Sequence, residues 1–173
     1  MVAAARGAVL TEAAILEALD AVKDPEIPVV SVVELGIVQA VEVDGDAVRV
    51  VITPTFSGCP ALHVMRQDIQ ACVEALGARR VTVDIALDPP WTSDRISPAA
   101  RERMKAIGLA PPPPAGRRTF SIDLDLELTP APPTCPFCGS GDTALENAFG
   151  PTICRTLYYC HACQQPFEQF KAL

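Results

Sequence analysis

The chain has 173 residues, 49% of them apolar and 20% charged, with a formal net charge of −7. That length and apolar content suit one folded domain with a smaller appendage and exclude a disordered chain, while the negative charge leaves nonspecific nucleic-acid binding without its electrostatic drive. No window approaches the ~18 uninterrupted apolar residues of a bilayer span, and Glu12, Glu17 and Asp20 interrupt the alanine-rich start as a secretory core would not allow, so a cytoplasmic protein is expected.

Thr11 is a plausible helix N-cap, and Ile15, Ala18, Leu19 and Val22 follow at helical spacing until "KDPEIP", where Pro25 disfavours helix at Asp24. Two alternating β-branched runs, "GIVQAVEV" and "AVRVVITP", meet at Asp44-Gly45-Asp46, a hairpin signal. After Pro60, the residues Leu62, Met65, Ile69, Cys72, Val73 and Leu76 line one helical face, and Gly77 ends the helix. "VTVDIAL" alternates and places Val81, Val83, Ile85 and Leu87 on one face of a strand. The order helix, hairpin, helix, strand predicts a small α+β sandwich with its helices on one side of the sheet. "SPAARERMKAIG" adds a short helix capped by Ser97, with Pro98 at its first position.

"APPPPAG", Ala110 to Gly116, is a polyproline-type spacer that cannot donate backbone hydrogen bonds at its prolines, so the first domain is expected at 1–109. The linker then runs over 110–133 and contains a half-buried alternating strand at 120–128, "FSIDLDLEL", which either domain's sheet could take up. The last domain, 134–173, carries Cys135-Pro-Phe-Cys138 and Cys160-His-Ala-Cys163, two knuckles separated by 21 residues. Two such pairs in a reducing compartment point to four thiolates around one ion, and a turn at Gly150-Pro151 would fold the intervening chain back to join them. About forty residues bury too little surface to fold without such help. Zinc is the default occupant, although iron or an iron–sulfur cluster accepts the same ligands. Cys154 is either a small buried packing residue or a fifth thiol, and His161 should face outward without coordinating. Six of the nine aromatic residues, Phe137, Phe149, Tyr158, Tyr159, Phe167 and Phe170, fall here and are expected to form a miniature core beside the ion.

Cys59, in "TPTFSGCP", stands where a strand gives way to a helix. With Pro60 as the first helical residue, Cys59 would be the N-cap, where unpaired N–H groups favour a nucleophilic, metal-binding thiolate; packing under the turn is the alternative. Asp24, Glu26 and Glu34 lie in turn-like segments beside the first strand, placed either to approach Cys59 or to cap turns and face solvent.

"VKDPEIPVVSVVELGIV", "TPTFSGCPA" and "DPPWTSDRISPAAR" together resemble the MIP18-type (DUF59) domain associated with iron–sulfur cluster assembly, over roughly residues 10 to 109. With "CPFCGS" and "FGPTICRTLYYCHACQQPFEQFK" the whole chain resembles the PaaD-type accessory proteins of the phenylacetyl-CoA epoxidase system of aerobic phenylacetate degradation. The resemblance implies an assembly-domain fold followed by a zinc-ribbon-like domain. It maps the family's reactive cysteine onto Cys59, its Asp-Pro-Glu onto Asp24, Pro25 and Glu26, its acid before Leu-Gly onto Glu34, and its Thr-x-Thr onto Thr53 and Thr55.

Three functions compete on this reading. The favoured one is a maturation protein that assembles or delivers an iron–sulfur cluster, held transiently, for the epoxidase system's reductase, with Cys59 as transfer thiol. The second is a non-catalytic docking subunit of the oxygenase complex. Independent catalysis is disfavoured, because a di-iron oxygenase needs Glu-x-x-His pairs and neither His63 nor His161 has a glutamate three residues before it. Expected partners are the epoxidase components, with neither nucleic acid nor membrane, and a homodimer would let two copies of Cys59 complete a cluster's ligands.

Overall fold

In the computed structural model, which describes residues 10–56, 58–113, 120–122, 128–130 and 132–171, the Thr11 hydroxyl accepts a hydrogen bond from the Ala14 amide (3.2 Å) and starts α1, Glu12–Leu19. Ile15 and Leu19 are fully buried on its inner face. Strands β1 (Val38–Asp44) and β2 (Ala47–Ile52) form the expected antiparallel hairpin, with Asp44 opposite Ala47. Gly45, the first of its two turn residues, has φ +60°, the left-handed backbone such a turn requires. Helix α2 (Leu62–Ala75) carries the chain back to β3 (Arg80–Ile85), which pairs parallel with β2. Parallel neighbours need a crossover of this kind.

The three strands lie in the order β1-β2-β3, with Val41, Val50 and Val83 in register across them and all buried. Helix α1 packs on α2 and β1, and α2 packs on β3, with Met65, Ile69 and Val73 filling the layer between. The opposite face is solvated, and Arg49 there bridges Glu42 on β1 (3.2 Å) and Asp84 on β3 (2.7 Å). One buried and one wet face is what the alternation in β1 and β2 demands. The third strand departs from the sequence reading. Val83 alone of the four predicted residues is buried; Ile85, at the end of the edge strand β3, and Leu87, beyond it, are 42% and 59% exposed.

Compact packing divides the chain into Met1–Trp91 and Thr92–Leu173. This differs from the boundary expected at the proline run. Ser97 caps α3 (Pro98–Ala106) as predicted, accepting from the Ala100 amide at 3.1 Å, but α3 belongs to the second unit. Immediately after it, β4 (Leu109–Ala110) pairs parallel with a strand of the cysteine-rich region. The start of the proline run also packs: Arg101 donates to the Pro112 carbonyl (2.6 Å), Ser93 donates to the Pro113 carbonyl (2.7 Å), and Pro112 is buried. Prolines lack a donor but remain acceptors.

The segment expected as one strand at 120–128 instead contributes β5 (Phe120–Ile122) and β6 (Leu128–Pro130), antiparallel to each other in their own two-stranded ladder. Residues 123–127 of that expectation lie outside the described residues. The tail adds β7 (Thr143–Asn147), β8 (Arg155–Cys160) and β9 (Gln165–Phe170), giving a four-stranded sheet in the order β4-β9-β8-β7. No helix among the described residues is long and apolar enough to cross a membrane.

Candidate functional site

The two knuckles meet because β7 and β8 form a hairpin and the chain turns between β8 and β9 at the second knuckle itself. Gly150 N donates to the Arg155 carbonyl (2.9 Å) across the predicted Gly150-Pro151 loop. In the first knuckle Gly139 N donates to Cys135 O (2.8 Å) and Cys135 N to Ser140 O (2.8 Å); in the second, Gln164 N donates to Cys160 O (2.9 Å). Both knuckles end in left-handed backbone, at Gly139 (φ +73°) and at Gln164 (φ 58°). His161 N binds Asp142 O at 3.0 Å, so the second knuckle is tied to the chain that follows the first.

The sulfurs of Cys135, Cys138, Cys160 and Cys163 all lie within 4.8 Å of one another. Cys135 to Cys163 is 3.7 Å and Cys138 to Cys160 is 3.6 Å. A regular tetrahedron with metal–sulfur bonds of ~2.3 Å has edges of roughly 3.8 Å. The spacing therefore fits a four-coordinate ion, and is far beyond the ~2.05 Å of a disulfide. A hydrogen bond from the Cys163 amide, joined by the neighbouring thiols, draws the Cys160 thiol down to about 7. Desolvation first, then the sulfurs of Cys160, Cys138 and Cys135, push Cys163 up to about 12. Four thiolates this close repel unless a cation lies between them, so these residues form a site able to hold a metal such as zinc.

Cys154 lies outside this group. It is buried, its sulfur is 3.2 Å from the Thr152 hydroxyl, and it precedes β8 while Cys160 ends that strand. Six residues of extended chain put roughly 20 Å between them. His161 is exposed, with its ring edge-on to Tyr159 at 5.5 Å. The aromatic core is smaller than expected. Tyr158, Phe167 and Phe170 are buried, whereas Phe137 and Phe149 are 52% and 73% exposed, outside the cluster of Ala110, Cys135, Tyr158, Cys160 and Phe167.

In the first unit, Cys59 is half-buried. Its amide donates to Phe56 O (3.1 Å) and its carbonyl accepts from Leu62 N (3.2 Å), forming a tight turn before the helix. The helical residues begin at Leu62, with Ala61 as N-cap, so Pro60 is not the first of them. Ala61 offers no side-chain acceptor, and the first turn has no acid. Gly58 is held small by the Phe56 ring, since a Cβ there would fall 2.8 Å from Cε1.

The acids are laced to their own turns. Asp24 is buried, and its Oδ1 accepts from the amides of Glu26 (2.8 Å) and Ile27 (3.0 Å). Glu34 Oε2 accepts from Ser31 N (3.1 Å), and the Ser31 hydroxyl accepts from Glu34 N (3.0 Å) while donating to Asp20 Oδ1 (2.5 Å). Thr53 is buried, and its hydroxyl donates to Gln39 Oε1 at 2.9 Å, across the bulge that interrupts the register between Val38 and Ala40. Thr55 and Glu26 are half-buried. Among the described residues, the four tail cysteines are the one set of three or more Cys, His, Asp or Glu groups whose ligand atoms converge. Asp20, Ser31 and Gln39 were not singled out by sequence, because their partners lie on other turns and strands.

An α+β unit bearing a thiol at a strand–helix turn, followed by a β-ribbon with a four-thiolate site, suits an accessory protein that handles iron–sulfur clusters. Residues 12–85 match the family described as iron-sulfur cluster assembly protein, and residues 124–171 match the PaaD zinc beta ribbon domain. The chain is 38% identical over 155 residues, 90% of its length and 89% of the relative's, to a putative subunit of the 1,2-phenylacetyl-CoA epoxidase of Escherichia coli. It belongs to the PaaD family and carries both matched domains in one chain. An Fe-S protein maturation auxiliary factor of Porphyromonas gingivalis is 38% identical over 92 residues, covering 52% of this chain and 87% of the relative. A solved conserved hypothetical protein of Thermotoga maritima is 34% identical, covering 56% of this chain and 95% of that one, with TM-score 0.49.

Proposed function

We propose that this chain is a cytoplasmic accessory protein of a phenylacetyl-CoA epoxidase system in phenylacetate degradation, assisting iron–sulfur cluster assembly on, or delivery to, that system's reductase. The observation that carries the reading is its similarity to the Escherichia coli epoxidase component along 90% of its length. Cys59 is the transfer thiol on this reading, and the cluster is cargo. As one thiolate, Cys59 holds an iron of the cluster while other ligands come from the client or a second copy, and client cysteines then displace it. Asp24, Glu26, Glu34, Thr53 and Thr55 shape the turns around the first strand and its neighbour, and Cys135, Cys138, Cys160 and Cys163 hold a structural zinc. The four-thiolate site has a closed ligand set, as structural zinc sites do.

The test is co-production of the reductase with wild-type or Cys59→Ala protein, followed by iron and acid-labile sulfide analysis of the reductase. The variant should fold and associate normally but leave the reductase depleted of cluster. A fully loaded reductase with normal turnover would discard the transfer role. The second reading, a docking subunit, is favoured by Leu145, Phe149 and Ile153, all more than half exposed around the β7–β8 loop. Phe149→Glu would then abolish assembly without changing cluster content.

A further inference from the structure

The ribbon family model begins at residue 124, yet the sheet of this ribbon takes in residues well before it. Leu109 and Ala110 pair parallel with Glu168 and Gln169 on β9, the strand that leaves the second knuckle. Ala110 is 2% exposed and shares one buried cluster with Cys135 and Cys160, a ligand from each knuckle. Gly108 reaches the first knuckle directly. A Cβ at Gly108 would fall 2.6 Å from Cζ and 2.9 Å from Cε1 of Phe137, the residue just before Cys138. Gly108 also has φ +80°, so both its backbone and its missing side chain suit it to seat that ring.

We infer that Gly108 and Ala110 are positioning residues of the metal site, clamping the two knuckles into the spacing at which their four sulfurs close around an ion. The inference rests on the reading of the four cysteines as a metal site. Neither residue touches the ion. Gly108 fixes the Phe137 ring and through it the loop between Cys135 and Cys138, while β4 braces the strand that follows Cys163. Coupling of this kind is reciprocal: a clamp that favours the closed thiolate set must raise metal affinity by the factor by which metal favours the clamp.

The experiment uses full-length protein loaded with zinc, a chromophoric chelator as competitor, and Co(II) substitution to read the thiolate-to-metal charge-transfer bands. Gly108→Ala should give up zinc at least about fivefold more readily and weaken or shift the Co(II) bands. Phe137→Ala should do the same, and the double variant should lose less zinc than the two single losses added, since the ring that the added methyl would strike is gone and only the left-handed backbone strain at position 108 remains. A purely structural glycine would lower the melting temperature and leave affinity and bands unchanged, and that result overturns the inference. So does a double variant in which the two losses simply add. Cys135→Ser keeps the two ideas separable: metal retained there would remove the site itself, whereas wild-type affinity in Gly108→Ala removes only the clamp.

Discussion

The indole Nε1–H of Trp91 donates to the carbonyl oxygen of Leu35 at 2.9 Å, with the Trp91 ring 4% exposed and Leu35 fully buried. The bond ties the "DPPW" segment to the "ELG" turn that holds Glu34. Trp91→Phe retains an aromatic ring but removes the donor from a buried carbonyl. It should destabilise the first unit by ~1–3 kcal/mol, read as a lower urea midpoint at unchanged slope. An unchanged midpoint would mean that this bond contributes nothing net.

The contrast between Gly139 and Gln164 yields a second prediction. Both close a knuckle in left-handed backbone, and a Cβ added at Gly139 would meet nothing within 4 Å. Gly139→Ala therefore isolates backbone strain from crowding and should cost ~1–2 kcal/mol of ribbon stability. Gln164 already bears that strain, so Gln164→Gly should be neutral or stabilising by up to ~1 kcal/mol. Thermal melts of the zinc-loaded variants check both, and a stable Gly139→Ala would contradict the argument.

The parts of the fold that could be read from sequence are those whose cause is local. Thr11 and Ser97 cap helices three residues ahead, Gly45 makes a two-residue turn, and each Cys-x-x-Cys carries its own geometry. The parts that could not be read are long-range pairings. Ser31 to Asp20, Thr53 to Gln39 and Gly108 under Phe137 have no spacing rule, because each depends on how separate turns dock. The start of the proline run packs for a physical reason. Its lack of donors marks a spacer, but the carbonyls of Pro112 and Pro113 serve as acceptors for Arg101 and Ser93, so packing continues past the expected boundary.

Cys59 and Cys72 make an internal comparison. Burial pushes the Cys72 thiol up, and its sulfur donates to the Ala18 carbonyl at 3.4 Å, which holds the proton on sulfur. Cys59 instead sits in the turn that precedes α2, two residues before that helix's N-cap. With the tail cysteines occupied by zinc, iodoacetamide should label Cys59 before Cys72 across pH 7–9, read by peptide mass mapping. Equal rates, or Cys72 first, would remove the case for a reactive thiol at that turn.

Metal binding by the ribbon carries its own pH dependence. Ligation needs all four cysteines as thiolates, and Cys163, pushed up to about 12, still carries a proton near pH 8, whereas Cys160, drawn down to about 7, is largely ionised there. Binding must expel the remaining protons, so affinity rises with pH through this range and falls as acid returns them. Zinc titrations in two buffers of different ionisation enthalpy should show net proton release that grows as pH is lowered from 8 to 7. Cys135→Ser and Cys160→Ser should lose the ion, and Cys154→Ser should keep one zinc per chain, since that thiol lies about a strand's length away. Loss of zinc from Cys154→Ser at undiminished folding would place a fifth sulfur at the site and overturn the four-cysteine assignment.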